Sequence, residues 1–264
     1  MFLALPFRDD TPPRQIPALT YGLVAACAAV FLWQISLGRD GVDETSLSLG
    51  MIPAVLFGTA RLPPHLRLVA PWMTIFTSMF LHSGWLHLIG NMVYLWVFGK
   101  GVENALGSAR FLVFYFVCGA AAAATQALTD PTSTLPMVGA SGAIAGVLGA
   151  YLVLYPFGHV FVFFWIIIIF RIVAVPAIIL LGLWFLIQLL SAQDAGAGAG
   201  VAFWAHVGGF VAGMILVPFM RQRGVGMLQA SRTQSFNISN PRDARWRGSG
   251  SVPSAGRPWR GGRD

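Results

Sequence analysis

Residues 18–37 contain no Asp, Glu, Lys or Arg. As a helix, a stretch of that length crosses the ~30 Å hydrocarbon core of a bilayer. The pattern recurs along the chain. Residues 85–98 continue an apolar run begun near Trp72, residues 111–128 read as a third span, 139–155 as a fourth, 172–190 as a fifth and 201–220 as a sixth. An apolar fraction of 56% with a charged fraction of 10%, and a mean hydropathy of +0.69, lie outside the soluble range. The expected fold class is an all-α polytopic membrane protein with six transmembrane helices, and a water-soluble enzyme is the poorer alternative.

Residues 160–170 bear on that count. They are apolar and rich in Phe and Ile, but a run this short between Pro156 and Arg171 cannot span on its own. With six spans, Arg8, Arg14, Lys100, Arg110, Arg171 and the arginines from Arg221 onward share one side, against Arg39, Arg61 and Arg67 opposite. A seventh span would put the termini on opposite sides. The basic excess that marks cytoplasmic loops favours six, with both termini in the cytosol. The net charge of +7 is concentrated in the carboxy-terminal tail, which fits a flank facing an anionic inner leaflet rather than a nucleic-acid surface.

Three regions follow. Residues 1–17 read as a retained cytosolic leader, because no small-residue cleavage site follows the first apolar span. Residues 18–220 form the membrane domain. Residues 221–264 are dense in Arg, Gly and Ser, lack apolar periodicity, and are expected to be disordered in the cytosol. Residues 38–71 make a long loop whose stretches 51–57 and 66–70 suit the membrane interface, and the Gly-Ala repeat at 195–200 reads as a flexible connector. A turn bearing Lys100, Glu103 and Arg110 joins spans two and three. Cys27 and Cys118 sit within apolar spans as small hydrophobes, not as a disulfide framework.

Polar groups inside hydrocarbon are costly, so those within spans invite a functional reading. They are His82, His87 and Asn91 entering span two, Ser141 entering span four, Gln188 in span five and His206 entering span six. With a cytosolic amino terminus, the even-numbered spans all run inward from the outer face. The His, Asn and Ser groups therefore meet at one depth, with His206 about 8 Å below the outer interface at ~1.5 Å per residue. Ser141 lies in Gly139-Ala140-Ser141-Gly142, and the free N–H groups of a helix start there suit an oxyanion. His206, in Ala205-His206-Val207-Gly208-Gly209, is the histidine available as its base. Gly142 and Gly146, with Gly209 and Gly213, are small-xxx-small pairs that let spans four and six approach closely. His87 and Asn91, spaced i, i+4, offer two neutral donors from one helix face, whereas His82 reads as a structural residue of the outer loop. No Asp or Glu lies within the spans to orient His206. The expected unit is a Ser–His dyad rather than a triad.

Taken singly these features are weak: a serine in a Gly-Ala-Ser-Gly string is more often a packing residue, and a lone membrane histidine a satisfied polar contact. In combination they resemble the rhomboid proteases. The likeness rests on His82, His87 and Asn91 in His-Ser-Gly-Trp-Leu-His-Leu-Ile-Gly-Asn, then Gly139-Ala140-Ser141-Gly142, then Ala205-His206 with Gly209 and Gly213, over residues 17–220. It implies a six-transmembrane-helix rhomboid bundle. The implied site is a Ser141–His206 catalytic dyad and an oxyanion hole from His87, Asn91 and the Ser141 amide, supported by His82, Gly139, Gly142 and Gly209, with no metal or cofactor. It also implies that residues 160–171 connect spans four and five. Two positions depart from the family pattern. The Trp-Arg pair common in the first loop is replaced by Trp72-Met73-Thr74, and a Tyr that stacks on the histidine in some members is Ala145 here.

The expected activity is hydrolysis of peptide bonds in transmembrane helices of other proteins. The site would open to the outer face, in what is expected to be a bacterial plasma membrane. The lipid bilayer and transmembrane substrates are the expected partners, and nucleic acid is not. Helix-weakening residues near the substrate's outer end should favour cleavage, because an intact helix shields its carbonyls. The competing readings are a catalytically silent rhomboid-like protein that binds membrane clients, and a transporter using its histidines for a metal or protons. The first is disfavoured by the presence of both Ser141 and His206, the second by the absence of any HExxH string or carboxylate beside the histidines.

Overall fold

The computed structural model describes residues 2–11, 16–38, 40–166, 169–194 and 202–229. The expected connector at 195–200 and the tail beyond residue 229 lie outside them. The described helices are α1 (Ala18–Ser36), α2 (Gly41–Leu49), α3 (Pro53–Leu56), α4 (Thr74–Thr77), α5 (Trp85–Leu106), α6 (Ser108–Thr129), α7 (Ser141–Leu154), α8 (Ala177–Asp194) and α9 (Phe203–Met220). Three of them, α1, α6 and α9, are long and apolar enough by length and composition to cross a membrane. The run from Trp72 is not continuous with α5. It breaks into 3-10 turns around α4, and Gly84 precedes the helix in an extended conformation.

α7 is the central helix. It packs against α5, α6, α8 and α9, and every residue from Gly142 to Tyr151 is buried. Its contact with α9 is made backbone to backbone: a Cβ placed on Gly209 would overlap the carbonyl oxygen of Gly142, and one on Gly213 the carbonyl oxygen of Gly146. Such small-residue seams let dispersion and interhelical hydrogen bonds hold helices together where lipid offers no hydrophobic drive.

Lys100 and Glu103 belong to the last turns of α5, and Arg110 to the first turn of α6, with only Gly107 between the helices. The expected turn is therefore a single residue. Glu103 is fully buried. It accepts hydrogen bonds from the Leu19 N–H (3.1 Å), the Thr20 N–H (2.8 Å), Thr20 Oγ1 (2.7 Å) and Ser108 Oγ (2.7 Å). One carboxylate thus satisfies orphan donors at the start of α1 and neutralises the positive end of its dipole, while bonding the first residue of α6.

The all-α expectation is corrected by an antiparallel sheet of three strands, β1 (Phe2–Asp9), β2 (His159–Ile166) and β3 (Ile169–Pro176), in the order β1-β2-β3. Leu5 stands opposite Phe163, and His159 opposite Pro176. Residues 2–9 of the leader therefore form a strand, residues 159–166 and 169–176 after α7 pair with each other as antiparallel strands, and the fifth long helix begins at Ala177 rather than residue 172. The segment is dense in Val, Ile and Phe, which fit a pleated surface, and its burial alternates: Val160 and Val162 are buried while Phe161 and Phe163 are half-buried. Tyr151 Oη donates to Asp9 Oδ2 at 3.0 Å, and Thr11 Oγ1 donates to the same oxygen, tying β1 to the C-terminal half of α7.

Candidate active site

Ser141 is the first residue of α7, in the turn whose backbone N–H groups have no intrahelical acceptor. Gly139, two residues earlier, has φ +119°, a conformation open to glycine. Its N–H donates to the Ser78 carbonyl at 2.8 Å. A Cβ at Gly139 would lie 2.6 Å from His87 Nε2. Only glycine lets the histidine ring approach the strand of backbone that delivers the serine.

His206 stands one turn into α9, half-buried. Its Nε2 lies 2.8 Å from Ser141 Oγ, across the glycine seam described above. Its Nδ1 lies 2.7 Å from Gln188 Oε1 on α8. The rings of Trp184 and Phe203 flank it, with centroids 5.9 and 6.5 Å away.

His87 and Asn91 project from the first two turns of α5 toward the same space. The Ser83 N–H donates to His87 Nδ1 at 3.5 Å, and Ser83 Oγ sits 2.9 Å from it. The other ring nitrogen, Nε2, faces Gly139. Asn91 Nδ2 is buried with no hydrogen-bond partner among the described residues, an arrangement that needs an explanation in any well-packed site. A cavity of about 1000 Å³ unites these groups, lined by Ser141, His206, His87, Asn91, Trp184 and Gln188 among others.

Of the other expected site residues, Gly142 and Gly209 meet in the α7–α9 seam. His82 lies behind the cavity, not on its wall. It is fully buried, donates its backbone N–H to Gln34 Oε1 at 3.0 Å, places Nδ1 3.2 Å from the Phe80 carbonyl, and packs its ring 5.2 Å from that of His87. Sequence reasoning assigned no role to Ser83, Trp184 or Gln188. For Gln188 a signal existed, since it is the one strongly polar side chain inside the apolar run of α8 before Gln193. Among the described residues no group of three or more His, Cys, Asp or Glu could hold a metal ion.

A helical bundle with membrane-crossing helices, holding a serine and a histidine in hydrogen-bond contact inside a cavity, defines an integral membrane protein with the side-chain pairing used in nucleophilic hydrolysis. Residues 70–223 match the rhomboid domain, and the chain belongs to the rhomboid family. It is 32% identical over 136 residues to rhomboid protease GluP of Bacillus subtilis (strain 168), covering 52% of this chain and 24% of that protein. To rhomboid protease AarA of Providencia stuartii it is 34% identical over 146 residues, 50% of this chain and 49% of the relative. A third match, 30% identical over 127 residues, is to the mitochondrial rhomboid protein 1 of Saccharomyces cerevisiae (strain ATCC 204508 / S288c), covering 42% of this chain and 37% of that protein. The matched segments span about half or less of these relatives' lengths.

Proposed function

We propose that the protein is an intramembrane serine endopeptidase that hydrolyses peptide bonds in or near transmembrane helices of other membrane proteins. The observation that carries this reading is the 2.8 Å contact between Ser141 Oγ and His206 Nε2 at the wall of a cavity. Ser141 Oγ attacks the scissile carbonyl carbon as His206 Nε2 removes its proton. The oxyanion of the tetrahedral intermediate is held by the Ser141 N–H, His87 Nε2–H and the Asn91 amide, which accounts for the otherwise unpartnered buried Nδ2. His206 then gives its proton to the leaving amine as the C–N bond breaks. Water, activated by the same imidazole, hydrolyses the Ser141 ester and restores the free hydroxyl.

In this reading α1, α5, α6, α7, α8 and α9 all cross the membrane, with both termini and the sheet on the cytosolic side. The bilayer is the plasma membrane of a bacterium. At 14 residues, α7 is about 21 Å long, some 9 Å short of the ~30 Å hydrocarbon core. If its C-terminal end reaches the inner interface, Ser141 lies below the outer one. The cavity then serves as the aqueous recess that irregular backbone needs at that depth, and it admits both water and an unwound substrate segment.

The test is covalent labelling in detergent with a fluorophosphonate, which reacts with activated serines. Wild type should label, Ser141→Ala should not, and His206→Ala should label far more slowly. Equal labelling of wild type and Ser141→Ala would refute Ser141 as nucleophile.

A further inference from the structure

Trp184 and Gln188 are spaced i, i+4, so α8 presents them one above the other on a single face. Both reach His206, Trp184 through its ring at 5.9 Å and 38° and Gln188 through Oε1, 2.7 Å from Nδ1. On α7, the residue one turn beyond Ser141 is Ala145, fully buried and too short to reach the imidazole. Ala145 thus gives the histidine no support from the turn of α7 beyond Ser141, whereas α8 gives it two contacts.

We infer that Trp184 and Gln188 form a clasp that positions His206, with Gln188 selecting the tautomer in which the imidazole can act as a base. This rests on the Ser141–His206 reading above. A carbonyl oxygen only accepts, so Gln188 Oε1 requires the proton on Nδ1. That leaves the lone pair on Nε2, 2.8 Å from the Ser141 hydroxyl. The opposite tautomer would point an N–H at Ser141 and could not take its proton. A third group that holds Nδ1–H is how a catalytic imidazole is kept in register elsewhere, where the group is a carboxylate. A neutral amide does the same here without placing a charge in hydrocarbon, where charge is costly. Trp184 restricts rotation of the ring about the axis that the hydrogen bond leaves free. Both are positioning residues and touch no reacting atom.

The experiment compares Gln188→Met and Gln188→Glu with wild type and Ser141→Ala in liposomes, measuring kcat and KM on a single-span substrate together with thermal midpoints. Met matches the length of Gln but accepts weakly, whereas Glu keeps the acceptor. For Gln188→Met, kcat should fall about 10- to 100-fold, part of the ~10²–10⁴-fold that a positioned base contributes, with KM and thermal midpoint unchanged. Gln188→Glu should restore kcat to within a few-fold of wild type. An unchanged kcat in Gln188→Met, or a loss in Gln188→Glu as deep as in Gln188→Met at a thermal midpoint equal to that of wild type, would overturn the clasp. A second measurement avoids reliance on variants: ¹⁵N shifts of labelled histidine in wild type, with the His206 signals identified by their loss in His206→Ala. They should place the proton on Nδ1, and a proton on Nε2 would overturn the assignment. Cleavage surviving in Ser141→Ala would instead defeat the underlying dyad. A silent Ser141→Ala beside a fully active Gln188→Met defeats the clasp alone.

Discussion

His206 Nε2 and Ser141 Oγ lie 2.8 Å apart although they are separated by 65 positions in the chain. What brings them together is backbone, not side chain: α7 and α9 touch through Gly142, Gly146, Gly209 and Gly213. The hydrogen bond therefore depends on the seam beneath it.

Replacing Gly213 with Ala inserts a methyl group into the space held by the Gly146 carbonyl oxygen. Overpacking of this kind costs about 1–3 kcal/mol, and the helices must part to relieve it. Thermal melts in detergent should show a lower midpoint, and cleavage should fall by more than the loss of folded protein explains. Gly182→Ala on α8, where a Cβ meets no atom within 4 Å, should leave both unchanged.

His87 and Asn91 are expected to act on the transition state rather than on substrate binding. Removing one oxyanion donor elsewhere costs roughly 10²–10³ in kcat. Asn91→Ala and His87→Ala should each lower kcat on that scale with little change in KM, as steady-state kinetics on a transmembrane substrate would reveal. The effect of His87→Ala should be the broader one, since its ring also packs against His82.

Glu103 carries a structural burden distant from the cavity. In Glu103→Ala the N–H groups of Leu19 and Thr20 and the hydroxyl of Ser108 lose their shared acceptor, and each buried group left unsatisfied costs about 1–3 kcal/mol. A marked fall in thermal midpoint is expected. Hydrogen exchange should rise first at the start of α1.

Burial raises the pKa of Asp9 above its ordinary value, opposed by its hydrogen bonds to Thr11 and Tyr151 and by the charge of Lys100. A folded-state acid pKa above the unfolded one means that the carboxylate costs stability at neutral pH. That cost disappears as pH falls through the folded value toward 3.8. Asp9→Asn retains an acceptor for Tyr151 and sheds the charge. Its melting temperature should exceed that of wild type most at neutral pH, and the gap should narrow on acidification.

Much of this architecture is legible in the sequence. Uncharged runs mark α1 and α6 to within a few residues, and the glycine spacing around Ser141 and His206 anticipates how closely α7 and α9 approach. The sheet is not legible by the same means. A short apolar run such as 160–170 has no helical or strand period distinct enough to separate the two states, and only its density of β-branched and aromatic residues points to strands. β1 also takes its pairing from a segment more than 150 positions away, which no local pattern in residues 2–9 reveals. Gln188 was visible as a polar residue in an apolar helix. Its partner was not, because which face of α8 meets α9 depends on packing between helices that share no sequence motif.

Ser141 is proposed above as the nucleophile of a membrane-embedded protease. The most direct measurement follows a single-span substrate, carrying helix-weakening residues near its outer end, in liposomes with wild type or Ser141→Ala, the products being sized by mass spectrometry. One cut within or beside the substrate's transmembrane segment by wild type, and none by Ser141→Ala of equal thermal midpoint, is the expected result. Equal cleavage by the two proteins would rule out Ser141 as the nucleophile.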